Sequence, residues 1–86
     1  MMNKITLFTM KGCFYCEDLK GKLNKNKISY KNKDINEYPE EYDKISNLLE
    51  TDSIPIISVN GIWLIPGIDF DTIDECVEKV IKMIQN

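Results

Sequence analysis

Asn60-Gly61, set between Ile56-Ile57-Ser58-Val59 and Ile62-Trp63-Leu64-Ile65, constrains the fold of this chain more than any other feature. Both central residues of a tight two-residue turn need positive φ, and Asn-Gly between β-branched and aromatic runs is the sequence answer to that need. The pair therefore predicts an antiparallel hairpin, which Pro66-Gly67 ends. A hairpin alone buries too little to be stable, so it needs further strands or helices against it.

The rest of the chain supplies them. Lys4-Ile5-Thr6-Leu7-Phe8-Thr9 is a short run with β-branched and aromatic residues and predicts a first strand, broken by Lys11-Gly12. From Phe14 to Asn24 the spacing of Cys16, Leu19 and Leu23 predicts a helix. Ile28-Ser29-Tyr30-Lys31-Asn32 alternates and predicts a second strand, with a loop over Asp34 to Tyr38. Pro39 suits the first turn of a helix, Glu40 and Glu41 suit its positive end, and Tyr42, Ile45, Leu48 and Leu49 form its expected buried stripe. Asp71 or Thr72 is expected to cap a last helix that turns Ile73, Cys76, Val77, Val80, Ile81 and Ile84 inward. The order is β-α-β-α-β-β-α. It implies an α/β fold with parallel first strands, a mixed four-stranded sheet and helices flanking it, as a single domain over residues 1–86.

Composition narrows the chemistry. The 86 residues carry a formal charge of −3 and a pI of about 4.8, which speaks against nucleic acid as partner. Lysines at 20, 22, 25, 27, 31 and 33 cluster among acidic residues. They read as a solvated helix end and strand start, with a basic docking patch as the alternative. Met1 to Lys4 lead directly into the first strand without the apolar core of a secretory leader. The longest apolar region, Ile54 to Phe70, is interrupted by Asn60-Gly61 and Pro66-Gly67, so no membrane span is expected. Three cysteines in such a chain point to reduced thiols in a cytoplasmic protein and not to a structural disulfide framework. Histidine and arginine are both absent, so any chemistry must use Cys, Lys, carboxylates, hydroxyls or the backbone.

Cys13-Phe14-Tyr15-Cys16 falls where the first strand gives way to the first helix. Unpaired N–H groups and the positive end of the helix dipole favour thiolate over thiol there, and thiolate is the nucleophile. Cys16, three residues on, is placed to attack a mixed disulfide on Cys13 and release its partner. Lys11 adds positive potential beside Cys13. The competing reading is half a zinc site. With no histidine and only Cys76 left, four ligands within one chain are not available, and no metal is expected. Cys76 itself reads as a small buried hydrophobe, with regulation as the alternative.

These residues, with Phe8-Thr9 before them and Ser53-Ile54-Pro55, Val59-Asn60-Gly61 and Gly67-Ile68-Asp69 after them, resemble a dithiol glutaredoxin over the whole chain. The resemblance implies a thioredoxin fold and a glutathione-dependent thiol–disulfide oxidoreductase. Its substrates would be protein disulfides or glutathione mixed disulfides, ribonucleotide reductase being one candidate. Glutathione would be a co-substrate, with no tightly bound cofactor, and the protein a monomer. The resemblance also implies a cis peptide before Pro55 and a backbone pairing of Ile54 with glutathione, like an added strand. The alternative is an ordinary trans proline at a strand start. Tyr15 would flank the glutathione groove. Gly67, Ile68 and Asp69 would bind the γ-glutamyl end through N–H groups and a carboxylate, while Asp69 as a plain turn residue is the alternative.

Four departures from the family pattern stand out. Phe14 occupies a position usually held by Pro or Ser, where its bulk is expected to alter redox potential and restrict docking. Met10 replaces the common lysine, and Lys11, one place closer to Cys13, is by the resemblance the candidate partner for a glutathione carboxylate. Pro66-Gly67 stands for a usual Gly-Gly pair after one extra residue. Glu17 and Asp18 follow the motif and are expected to oppose thiolate formation. Rival readings are an electron donor reduced by thioredoxin reductase, a glutathione-ligated [2Fe–2S] carrier shared between protomers, and an interaction module without redox activity.

Overall fold

The computed structural model describes residues 3–85; Met1 and Met2, where the leader reading begins, and Asn86 lie outside the described residues. The elements run β1 (Ile5–Thr9), α1 (Phe14–Lys25), β2 (Lys31–Asp34), α2 (Pro39–Leu49), β3 (Ile56–Val59), β4 (Ile62–Leu64) and α3 (Ile73–Gln85). The four strands form one sheet in the order β2-β1-β3-β4. β1 and β2 are parallel, β1 and β3 antiparallel, and β3 and β4 close as the expected hairpin. Asn60 and Gly61 sit at φ 51° and 89°, the positive values the turn requires. Asn60 also ties the hairpin to the start of β1: its N–H donates to the Lys4 carbonyl and its Oδ1 accepts from Lys4 N–H, both at 2.7 Å.

Side chains alternate across β1 and β3, and each face acquires its own core. Ile5, Leu7, Ile57 and Val59 meet Leu19 and Leu23 of α1 and Ile73, Cys76, Val77 and Val80 of α3. On the other face Phe8 and Ile56 meet Tyr42 of α2, with Ile45, Leu49 and Trp63 packed around them. Phe8 lies 5.9 Å from the Tyr42 ring and 6.0 Å from Trp63, nearly parallel to the latter. Lys22 bridges α1 to α3 through Asp74 at 2.7 Å and also reaches Asp18 at 3.2 Å.

The second strand lies three residues further on than Ile28–Asn32. The cause is the end of α1. Lys27 adopts φ 58°, its N–H donates to the Asn24 carbonyl, and Ile28 N–H donates back to the Leu23 carbonyl. This is a Schellman ending, with Ile28 as its buried hydrophobic contact. Residues 28–30 thus belong to the exit of the helix, and pairing with β1 begins only at Lys31 opposite Thr6. A second correction concerns α2. Tyr42, Ile45 and Leu49 face the sheet, while Leu48 is 71% exposed, because it falls round the helix from that stripe.

Thr72, and not Asp71, supplies the side-chain cap of α3. Its hydroxyl accepts from Glu75 N–H at 3.1 Å, and the Glu75 carboxylate accepts from the N–H groups of Asp71 and Thr72 at 3.0 and 2.9 Å. Those backbone donors hold the Glu75 carboxyl below its ordinary range. Thr72→Ala is expected to cost about 1 kcal/mol in chemical denaturation, the usual worth of such a cap.

Cys76 is fully buried within the α1–α3 core. Burial pushes its thiol from an ordinary 9.0 up to about 12, with Lys79 opposing weakly. The native state therefore holds this proton in a pH range where the unfolded chain loses it. Stability linked to Cys76 is complete below about pH 9 and is lost as pH rises toward about 12. Between about pH 8 and about pH 10.5 the wild type should lose about 2 kcal/mol more than Cys76→Ala. Denaturant titrations of the two proteins at both pH values measure that difference directly. None of the helices among the described residues is long and apolar enough to cross a membrane.

Candidate redox site and its family

β1 runs out at Thr9, and Gly12 at φ 81° turns the chain into α1. Cys13 is the N-cap of α1. Its N–H donates to the Met10 carbonyl at 3.2 Å, its Sγ accepts from Cys16 N–H at 3.2 Å, and its carbonyl accepts from Glu17 N–H at 3.1 Å. The sulfur thus occupies the place that an oxygen usually fills at a helix N-terminus, where backbone donors and the dipole favour negative charge. Cys13 and Cys16 are joined in a disulfide with their Cα atoms 5.2 Å apart. Their exposures differ: Cys13 is half-buried at the surface, whereas Cys16 is fully buried.

The two acidic residues after the motif are each paired. Glu17 meets Lys20 at 2.6 Å and Asp18 meets Lys22 at 3.2 Å. Their expected opposition to a thiolate is thereby offset by neighbouring ammonium groups, to the modest extent that exposed pairs allow.

A cleft of about 360 Å³ opens beside this helix end, lined by Tyr15, Ser53, Ile54, Pro55, Pro66, Phe70, Asp71 and Ile73. Three of the residues singled out from sequence, Tyr15, Ile54 and Pro55, meet there. The Ile54–Pro55 peptide is cis. Tyr15 is 66% exposed and its ring lies 5.8 Å from that of Phe14.

Lys11, Gly67, Ile68 and Asp69 do not line the cleft. Lys11 is exposed on the turn before Cys13. In the 65–70 turn, the N–H of Gly67 donates to the Phe70 carbonyl, and those of Ile68 and Asp69 donate to the Ile65 carbonyl. Asp69 Oδ2 accepts from Ile65 N–H at 2.8 Å. The donors that the resemblance assigns to a ligand make hydrogen bonds within the turn, and the Asp69 carboxylate bonds back to the Ile65 N–H at the start of that turn. Asp71, exposed and two residues on, is the acidic residue among those that line the cleft. Its signal in the sequence was masked by its plausibility as a helix cap, and the Asp69-Phe70-Asp71 spacing offered two carboxylates without choosing between them.

Comparison with known proteins agrees with this geometry. The family model for glutaredoxin matches residues 5–63, from β1 through the cysteine pair to β4. The gene 56 protein of Mycobacterium phage L5 is 30% identical over 74 residues, which cover 86% of this chain and 72% of that protein. Oxidized glutaredoxin 2 from Chlamydomonas reinhardtii superposes with a TM-score of 0.70 at 22% identity, covering 96% of this chain and 80% of that one. Glutaredoxin 1 from Francisella tularensis, complexed with cacodylate, gives 0.68 at 18% identity, covering 98% and 99%. The holo form of glutaredoxin C1 from Populus tremula x tremuloides gives 0.68 at 20% identity, covering 91% and 74%. The structural matches identify the thioredoxin fold expected from sequence. The family model spans well over half of the chain and includes both cysteines, so this protein belongs to the glutaredoxin family and is a thiol–disulfide oxidoreductase.

Proposed function

We propose that the protein reduces protein disulfides and glutathione mixed disulfides with glutathione as reductant, Cys13 attacking and Cys16 resolving. The observation that carries the assignment is the unequal exposure of the pair, with Cys13 reachable from solvent and Cys16 fully buried. In the reduced protein the Cys13 thiolate attacks one sulfur of a substrate disulfide. A Cys13–substrate disulfide forms, and the other substrate sulfur leaves as thiolate. The Cys16 thiolate then attacks Cys13 Sγ, the substrate leaves as a second thiolate, and the internal disulfide closes. Two glutathione thiols return the pair to the dithiol by the same exchanges, ending as oxidised glutathione.

The cleft supports glutathione as the reductant. The Ile54 backbone offers strand-like pairing, Tyr15 and Pro55 give apolar walls, and the Asp71 carboxylate suits an α-ammonium. One observation favours a second electron source: no lysine lines this cleft to meet the glutathione carboxylates. Reduction by thioredoxin reductase is the reading that this favours. A reducing, cytoplasmic setting and action as a monomer go with either source.

NADPH-coupled turnover of a small mixed disulfide decides between them. Turnover with glutathione and glutathione reductase supports the proposal. Turnover only with thioredoxin reductase replaces glutathione as the donor.

A further inference from the structure

We propose that Phe14, with Tyr15 beside it, forms an apolar rim that selects protein disulfides whose cysteine is flanked by an apolar side chain. The proposal rests on Cys13 being the attacking thiol and adds a substrate class to that site. Phe14 is 69% exposed, Tyr15 66% and Ile68 74%, and Met10 is exposed as well. These are four of the seven large apolar side chains exposed among the described residues. Two of them, Phe14 and Tyr15, stand at the disulfide itself, with their rings 5.8 Å apart. Phe14 and Tyr15 directly follow Cys13, and Met10 accepts the Cys13 N–H through its carbonyl. Ile68 tops the turn whose Pro66 and Phe70 share the cleft with Tyr15.

Single exposed apolar residues need no explanation, but a group of them at a reactive centre marks a contact surface. The occupant follows from what must approach. Any disulfide exchanging with Cys13 brings its own flanking residues over Phe14. The nearby carboxylates Glu17 and Asp18 are paired with Lys20 and Lys22 on α1, so the distinguishing contact that Phe14 offers an approaching chain is apolar burial. In this reading the bulk of Phe14 acts as a contact for protein substrates.

The test uses the fully reduced protein and two disulfide-bonded peptides, one with phenylalanine and leucine beside its cysteines and one with serines there. Single-turnover reduction of each is followed by chromatography. The wild type should reduce the apolar peptide about tenfold faster at sub-saturating concentration, the gain expected from burying one aromatic contact. Phe14→Ser should bring the ratio of the two rates close to one, and Phe14→Leu should restore most of it. Leu48→Ser, which removes an equally exposed apolar side chain from α2, should leave the ratio at its wild-type value. Equal wild-type rates, or a ratio unchanged in Phe14→Ser, would overturn the rim while leaving Cys13 as nucleophile. A Phe14→Ser protein slowed equally on both peptides would also overturn it, by assigning Phe14 to the thiol chemistry. Reduction of neither peptide by the wild type would overturn the Cys13 reading and the rim together.

Discussion

Cys13→Ser is expected to bring disulfide reduction down to the uncatalysed background, whereas Cys16→Ser retains turnover of glutathione mixed disulfides. The asymmetry follows from burial. An incoming disulfide can reach Cys13 at the helix N-terminus, where Cys16 N–H donates to its sulfur at 3.2 Å. It cannot reach Cys16, which is fully buried beneath it. A serine at 13 is far less nucleophilic at neutral pH, and no histidine exists in the chain to activate it. A serine at 16 removes only the internal resolving step, which a second glutathione can perform from solvent. Protein disulfides that need intramolecular resolution should therefore be lost in both variants. Initial rates on a small mixed disulfide and on a protein disulfide, measured side by side, check each part.

Leu19→Ala should destabilise the protein by about 3 kcal/mol, read as a lower denaturant midpoint with an unchanged slope. Leu19 is fully buried in the cluster that joins α1 and α3 to the sheet. A large-to-small change there loses the transfer free energy of the removed groups and leaves a cavity that the packed helices fill only partly. Domains of this size are stable by only a few kcal/mol, so the loss removes much of the margin. The same helix carries Cys13 as its N-cap, so a loosened α1 should also lower activity near the denaturation midpoint. Leu48→Ala, at an exposed position, should change the midpoint little.

Where sequence and structure agree, the signal was local and physically obligatory. Asn60-Gly61 demanded positive φ at two successive residues, and the hairpin is in place. Leu19 and Leu23 recur at helical spacing and pack into one core. Where they differ, the deciding interaction was out of sight in the local pattern. Ile28 and Tyr30 alternate like a strand, but Ile28 is the buried contact of a helix ending that Lys27 completes in a conformation usually left to glycine. The actual strand, Lys31-Asn32-Lys33-Asp34, is polar because it lies at the sheet edge, and it lacks the apolar alternation by which a half-buried strand is recognised.

The candidate site divides in the same way. Cys13 and Cys16 were legible because a helix N-terminus and a three-residue separation follow from sequence. Tyr15, Ile54 and Pro55 converge on one cleft although the first is far from the others along the chain, and only the resemblance to a family linked them. The assignment of Asp69 to a ligand depended on a loop whose internal hydrogen bonds cannot be read from residue types. Ile65 N–H accounts for one Asp69 oxygen, and Asp71, two residues on, is the acidic residue that lines the cleft.

The most direct test of the account is to trap the first exchange. The reduced Cys16→Ser protein is incubated with oxidised glutathione, and the adduct is located by mass mapping of the digested protein. The account predicts a single glutathione on Cys13, with the buried Cys76 unmodified until the protein is unfolded. An adduct on native Cys76, or a Cys13 that forms none while the protein remains folded, would contradict it.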